Sequence, residues 1–337
     1  MSMKIKEIAK LANVSVATVS LVLNNKPGIS ESTRQKILKI SKSLSDSSPH
    51  PGFAQISNGS IKFLKIVKHG HVLNRDHNVF IASYIDGLEE EARTHGYNLE
   101  VTNFVSEATA EIVKSFGNVS IGGLIVLGTE LNEDDIILFK QLEIPVVFID
   151  TIFEHLSFDF VDMDNIEAAY QIVKQFLEFG HREIGFVKSD LNNFTLRERG
   201  FRSALSYFNL PLQEKYIFRV DSTFNGAYSD MLQLLNRGIK LPTALFCCND
   251  IVAYGCIKAL REKGIQVPND ISIIGFDDIP MSAFMDPPLT TMKVSKRLIG
   301  KTAMKLMIEK LANHTGIPSK ITIGGELVIR DSVKKLG

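Results

Sequence analysis

The chain has no apolar run of the ~18 residues that a membrane span requires. Met1 to Lys10 is charged and lacks the apolar stretch of a secretory signal, which leads us to expect a cytoplasmic protein. There are only three cysteines, Cys247, Cys248 and Cys256, and none forms a CxxC pair or a zinc spacing. They read as small apolar residues of a strand and the helix after it, which fits a reducing compartment. No nucleophile elbow, Walker loop or GxGxxG occurs. Gly122-Gly123 sits inside an apolar strand without the helix start that a phosphate loop needs. These absences argue against an enzyme, a bound cofactor and a metal site. A secreted sugar carrier would need a signal sequence in place of the basic segment described next.

Net charge is also missing: 38 basic residues balance 38 acidic ones. The distribution is uneven. Residues 1–45 hold Lys4, Lys6, Lys10, Lys26, Arg34, Lys36, Lys39 and Lys42 against Glu7 and Glu31, so eight minus two gives +6 and the remainder carries −6. That is a basic head on a mildly acidic body, suited to a polyanion or simply a solvated face. With 337 residues, two or three folded units are expected.

The head reads as three short helices. Ile5, Ile8, Ala9 and Ala12 share one helical face. Asn13-Val14 turns the chain, and Ser15 caps a second helix whose inward stripe is Val19, Val22 and Leu23. Lys26-Pro27-Gly28 breaks it, and Ser30 caps a third from Glu31 to about Leu44, with Ile37, Ile40 and Leu44 inward. Three helices with a tight turn between the first two match the helix-turn-helix plan. Residues 45–60 are rich in Ser, Pro and Gly and read as a linker.

The run Ile8-Ala9-Lys10-Leu11-Ala12-Asn13-Val14-Ser15-Val16-Ala17-Thr18-Val19-Ser20, with Val22-Leu23-Asn24, closely resembles the DNA-binding head of the lactose repressor family of bacterial regulators. The resemblance implies that Val16, Ala17 and Leu21 face bases. It implies that Ser15, Thr18, Ser20, Asn24, Ser30 and Thr33 contact the DNA backbone, setting register. Leu21 departs from the Arg common there, so no bidentate guanine contact is expected at that position; it could instead pack under the third helix. In the linker the family's Tyr-x-Pro-Asn opening and hinge Arg are absent. A hinge helix could still begin at Pro51 with Ile56 as a minor-groove wedge, or the segment could be a plain tether.

From residue 61, short apolar strands alternate with helices: strands at 62–67, 122–127, 145–150, 183–188, 244–248 and 271–276, and helices at 80–94 and 165–179. This rhythm indicates α/β architecture with doubly wound parallel sheets, where ligands sit beyond the carboxyl ends of the strands. The resemblance continues through Asn165-Ile166-Glu167-Ala168, Gly180-His181-Arg182-Glu183-Ile184-Gly185-Phe186, Arg197-Glu198-Arg199-Gly200-Phe201, Asn249-Asp250, Gly275-Phe276-Asp277-Asp278 and Pro287-Pro288-Leu289-Thr290-Thr291. It is weaker over 61–78, where His69-Gly70-His71 replaces a short Asp-bearing loop.

By that resemblance the plan is a helix-turn-helix domain over 1–48, a hinge over 49–60, and a periplasmic-binding-protein-like core over 61–337. Within the core, one subdomain covers about 61–162 and 291–320, and the other about 163–290 and 321–337. The effector pocket carried over by position is Asn78, Phe80, Asp150, Arg197, Phe224, Asn249 and Asp277. Asp150 and Asp277 would accept from vicinal hydroxyls or merely cap helices, Arg197 would donate, and Phe80 and Phe224 would cover an apolar sugar face. Phe224 could equally be a core aromatic. The expected function is a repressor of carbohydrate-utilisation genes that binds a pseudo-palindromic operator as a homodimer and senses a sugar. A corepressor-type regulator sensing a purine or a sugar phosphate is the alternative.

Overall fold

The computed structural model describes residues 59–70, 75–117, 121–313 and 316–336, and, within the first 58 residues, Ala9, Leu11, Ala12, Val14, Ser15, Thr18, Val19, Val22, Ile29, Ser30, 33–37 and Ile40. The chain divides into two compact units, Met1–Ile56 and Ser57–Gly337.

In the first unit, Ala9, Leu11, Ala12, Thr18, Val19, Val22, 33–37 and Ile40 are helical. Ala9, Ala12, Val19, Val22 and Ile37 bury their side chains in one small core, with Val14, Ile29 and Ile40 packed against it. The turn between the first two helical stretches is closed by Val14 N–H donating to the Ala9 carbonyl at 3.0 Å. Ser15 Oγ accepts from Thr18 N–H at 3.1 Å, and Ser30 Oγ from Thr33 N–H at 3.3 Å. Both serines therefore act as the helix caps expected of them. The expectations for Ile5, Ile8, Leu23, Leu44 and the hinge helix at 51–56 lie outside the described residues.

The second unit holds two six-stranded sheets. The first contains β1 (Ser60–Val67), β2 (Asn98–Val105), β3 (Gly123–Leu127), β4 (Val146–Ile149), β5 (Asp159–Met163) and β11 (Lys320–Ile323). Its order is β11-β5-β4-β3-β1-β2, and every pair is parallel. The second contains β6 (Ile184–Lys188), β7 (Ile217–Arg219), β8 (Ala244–Cys247), β9 (Ser272–Asp277), β10 (Thr290–Lys293) and β12 (Glu326–Val328). Its order is β12-β10-β9-β8-β6-β7, parallel except for β12 against β10. The chain therefore passes between sheets after β5, β10 and β11.

The helices are α1 (Arg75–Thr94), α2 (Thr109–Ser115), α3 (Glu133–Leu138), α4 (Asn165–Glu178), α5 (Asn192–Tyr207), α6 (Phe224–Asn236), α7 (Asp250–Glu262) and α8 (Lys296–Asn313). The central strands β3, β4, β8 and β9 are buried throughout, as strands covered by helices on both faces must be. Two glycines bring α1 and α8 together. A Cβ on Gly87 would lie 2.1 Å from the Arg297 carbonyl oxygen, and one on Gly300 would lie 2.2 Å from that of Tyr84. Only glycine permits this approach, and it sets Phe80 and Tyr84 on α1 against the first turn of α8. Among the described residues no helix is long and apolar enough to cross a membrane.

Candidate functional site

Polar side chains gather where the strand ends of the two sheets face each other, the position that doubly wound sheets reserve for ligands. Asp150 directly follows β4, Asp277 ends β9, Asn249 caps α7 after β8, and Arg197 lies on α5 after β6. Asp150 and Asp277 have φ of 58° and 112°. That left-handed backbone costs a non-glycine residue on the order of 1–3 kcal/mol and is characteristic of functional sites.

A closed ring of contacts links the two lobes. The Phe80 and Tyr84 rings meet edge to face at 5.2 Å. Tyr84 donates to Asp150 Oδ1 at 2.9 Å, and Thr129 donates to its Oδ2. Asn193 Nδ2 donates to Asp150 Oδ1 at 3.2 Å and to its backbone carbonyl at 3.0 Å. Asn165 Nδ2 reaches Asn193 Oδ1 at 3.5 Å and Asp162 Oδ2 at 3.2 Å, while Asn165 Oδ1 accepts from Arg197 Nε at 2.9 Å. The Arg197 guanidinium lies 3.6 Å over the Phe276 ring and donates to the Cys248 carbonyl at 2.5 Å. Its Nη2 is 3.6 Å from Asp277 Oδ1, an ion pair just beyond hydrogen-bond reach. Lys296 Nζ donates to the Asp277 carbonyl and sits 4.8 Å over the Phe80 ring, closing the circuit.

Two buried side-chain atoms on this ring have no hydrogen-bond partner among the described residues: Asn249 Nδ2 and Asp277 Oδ1. Asn249 uses its Oδ1 to cap α7 at Val252 N–H, 2.8 Å away. A donor and an acceptor thus stand open in a buried crevice, where unpaired polar groups are costly and point to an absent partner.

Burial also moves the acids. Asp277 is pushed up to about 7 by desolvation, opposed by Arg197 and reinforced by Asp250. Asp250, which accepts from Ser282, Thr291 and Ile279 N–H, is pushed up to about 6 by desolvation against those bonds. Desolvation raises Asp150 against its bonds to Thr129 and Tyr84. Desolvation and the neighbouring Asp150 charge raise Asp162 well above the carboxylate range. Burial lowers the Lys296 amine.

Of the seven residues named from sequence, five stand on or beside this ring: Phe80, Asp150, Arg197, Asn249 and Asp277. Asn78 does not; its exposed side chain accepts from Lys65 Nζ at 3.3 Å. Phe224, at the start of α6, lines a separate cavity of about 340 Å³ with Tyr254, Ile257, Lys258, Arg261, Met281 and Met285. The sequence reading passed over Tyr84, Asn165, Asn193 and Lys296. Asn193 precedes Arg197 by four residues, so helical spacing placed both on one face. A larger cavity of about 660 Å³ opens at the ends of β6 and β7, with Ser189, Leu191, Arg219 and Thr223 in its wall and His69 from the other lobe.

In the head, Ser15, Thr18, Ser30 and Thr33 are described, and their hydroxyls pair as Ser15–Thr18 and Ser30–Thr33 at 2.8 Å each. Val16, Ala17, Ser20, Leu21, Asn24 and Ile56 lie outside the described residues.

Comparison with known proteins adds two family matches. Residues 4–45 match the bacterial regulatory proteins of the lacI family, and residues 173–333 match a periplasmic binding protein-like domain. The chain is 34% identical over 340 residues to the HTH-type transcriptional repressor PurR of Haemophilus influenzae, covering 98% of this chain and 99% of that protein. It is 32% identical over 337 residues to the repressor of the same name from Mannheimia succiniciproducens, with the same coverage. Among solved structures, a lac repressor dimer bound to operator and the anti-inducer ONPF shares the fold at a TM-score of 0.74 and 22% identity, over 97% of this chain and 98% of that one. The transcriptional regulator CelR in complex with cellobiose superposes at 0.73 and 21% identity, over 97% and 99%.

Proposed function

The chain belongs to the lacI family of bacterial regulatory proteins and is a ligand-controlled transcriptional repressor, and from that premise we propose that its effector is a small polar molecule held in the interlobe crevice by Asn249, Asp277 and their ring. The observation that carries this reading is the open pair of atoms, Asn249 Nδ2 and Asp277 Oδ1. A sugar hydroxyl both donates and accepts, so one hydroxyl pair satisfies them together. Phe80 supplies an apolar wall, and Arg197, stacked on the fully buried Phe276, holds the site together. A purine is the second reading, favoured by relatives named PurR; its ring edge also presents donors beside acceptors.

We assign operator reading to residues 1–48, with Val16, Ala17 and Leu21 toward bases and Ser15, Thr18, Ser20, Asn24, Ser30 and Thr33 toward phosphates. Ile56 is the hinge wedge in this reading. Two heads on a two-fold axis suit a pseudo-palindromic operator. An apolar face supports a homodimer: Met281 and Phe284 are 54% and 82% exposed beside the cavity that Phe224 and Tyr254 line. Phe224 thus fits a subunit contact better than sugar stacking.

The test pairs two measurements on Asn249→Ser, which keeps a capping oxygen and removes the amide donor. A thermal-shift screen of sugars, sugar phosphates, sugar acids and purines finds the stabilising class by mass action. Operator binding uses a duplex selected by the native chain from a randomised pool. Asn249→Ser should lose the ligand shift and keep operator affinity. Retention of the full ligand shift would place the effector elsewhere.

A further inference from the structure

The crevice holds unpartnered donors beside an unpartnered acceptor. Asp150, which the sequence suggested for hydroxyl recognition, is already engaged: its carboxylate accepts from Tyr84, Thr129 and Asn193. The open groups include the two N–H bonds of Asn249 Nδ2 and the acceptor Asp277 Oδ1, beside the ammonium of Lys296. Lys296 gives one N–H to the Asp277 carbonyl. An ammonium carries three, and the other two meet no acceptor among the described residues.

Lys296 also lacks a counter-ion. Among the described residues it makes no ion pair, although three carboxylates are near enough to act on it. Asp278 is bound by Arg330 at 2.7 Å. Asp250 takes the hydroxyls of Ser282 and Thr291 at 2.6 Å each. Asp277 turns its carbonyl, not its carboxylate, to the amine. Instead the ammonium rests over Phe80, an attraction weaker than an ion pair. A half-buried cation without a partner anion is expensive unless a ligand completes it. Its desolvation lowers its proton affinity, and an arriving anion would reverse that.

We propose that Lys296 is a specificity-determining residue of the crevice and receives an anionic oxygen group, carboxylate or phosphate, on the effector. Asn249 and Asp277 hold the neutral polar body of the same molecule. This rests on the effector-site reading above and narrows it, because a neutral sugar leaves Lys296 uncompensated while a sugar acid or sugar phosphate does not.

The test uses the full chain, at constant ionic strength and against chloride, with inorganic phosphate and acetate as probes. Glucose, glucose 6-phosphate and glucuronate form a matched neutral and anionic set. Melting shifts are compared for the native chain, Lys296→Met and Lys296→Arg. At least one anion class should stabilise the native chain and Lys296→Arg, and bind Lys296→Met about tenfold or more weakly, the loss of one charge-assisted hydrogen bond. The class that responds separates phosphate from carboxylate. Phosphate bound by the basic head affects all three proteins equally and cancels. Equal anion shifts in native and Lys296→Met, including none in either, overturn the proposal. Should a ligand then depend on Asn249 but not on Lys296, the effector site stands and only this inference falls.

Discussion

Asp277 combines a strained backbone, an open carboxylate oxygen and a proton affinity raised to about 7. In the unfolded chain the same group titrates near ~4. Between those values the folded protein keeps a proton that the unfolded chain has released, so this group favours folding at low pH. That contribution is lost as pH rises from ~4 through about 7. Arg197, Lys296, Asp250 and Asp150 all face it and set the size of the effect. Asp277→Asn is neutral at every pH and removes this slope. Its melting temperature should gain on the native chain between pH 5 and pH 8, by the equivalent of about 2–4 kcal/mol. An unchanged gap would mean that Asp277 is ionised throughout.

Arg197 shows what sequence could reach at this scale and what it could not. Its position, and those of Asp150, Asn249 and Asp277, came from the resemblance to the lactose repressor family, and the last three also stand at strand ends of the α/β pattern. Their engagements were not. Arg197 directs Nε to Asn165 and Nη1 to the Cys248 carbonyl, partners fixed by tertiary packing and not by spacing along the chain. Lys296 was invisible for the same reason, since only the crossing after β10 carries it to Phe80.

At the scale of elements, the contact of α1 with α8 places three ring residues at once. Phe80 and Tyr84 come from one helix and Lys296 from the other, and Gly87 and Gly300 set their separation. In Gly300→Ala the new methyl would meet the Tyr84 carbonyl oxygen at 2.2 Å. The helices must part, which typically costs about 1–3 kcal/mol. Chemical denaturation should show that loss. It should exceed the loss from Gly117→Ala, where the nearest atom is 3.5 Å from the new carbon. Equal stabilities would show that the helices can shift freely.

Element legibility follows burial. β3, β4, β8 and β9 announce themselves as continuous apolar runs because both faces are covered. β2 escapes because it is an edge strand with Val101 and Val105 exposed, so no single-face pattern marks it. β10, β11 and β12 have three or four residues each, too few for a period to register. α1 begins at Arg75, five residues before the first position expected from its apolar face, because its first turn is polar.

At the scale of the whole second unit, effector control requires two lobe arrangements that a ligand can distinguish. Side-chain contacts that hold the present one come largely from α5: Arg199 pairs with Glu154 across the crevice at 2.5 Å and 3.1 Å, and two adjacent asparagines open the helix. Asn192 Nδ2 donates across the crevice to Thr151 Oγ1 and the Ile152 carbonyl, both at 3.0 Å. Asn193 Nδ2 donates across it to Asp150, at 3.0 Å to the carbonyl and 3.2 Å to Oδ1. At about 1 kcal/mol net each, these four bonds are enough to make the closed lobes the major state without ligand. The double change Asn192→Ala with Asn193→Ala should then populate an open form. Electron-electron distances between spin labels at Glu111→Cys and Lys215→Cys, one on each lobe, would report it in chains diluted with unlabelled protein. The native cysteines are buried and should not compete for label. The double variant should add a second, displaced distance that a stabilising ligand suppresses. Thr151→Val, which removes one acceptor with little change in shape, should do so to a smaller extent. If both variants keep the native distribution, the lobes are held by packing and the Arg199–Glu154 pair, and the asparagines serve the geometry of Asp150 and not the balance between states.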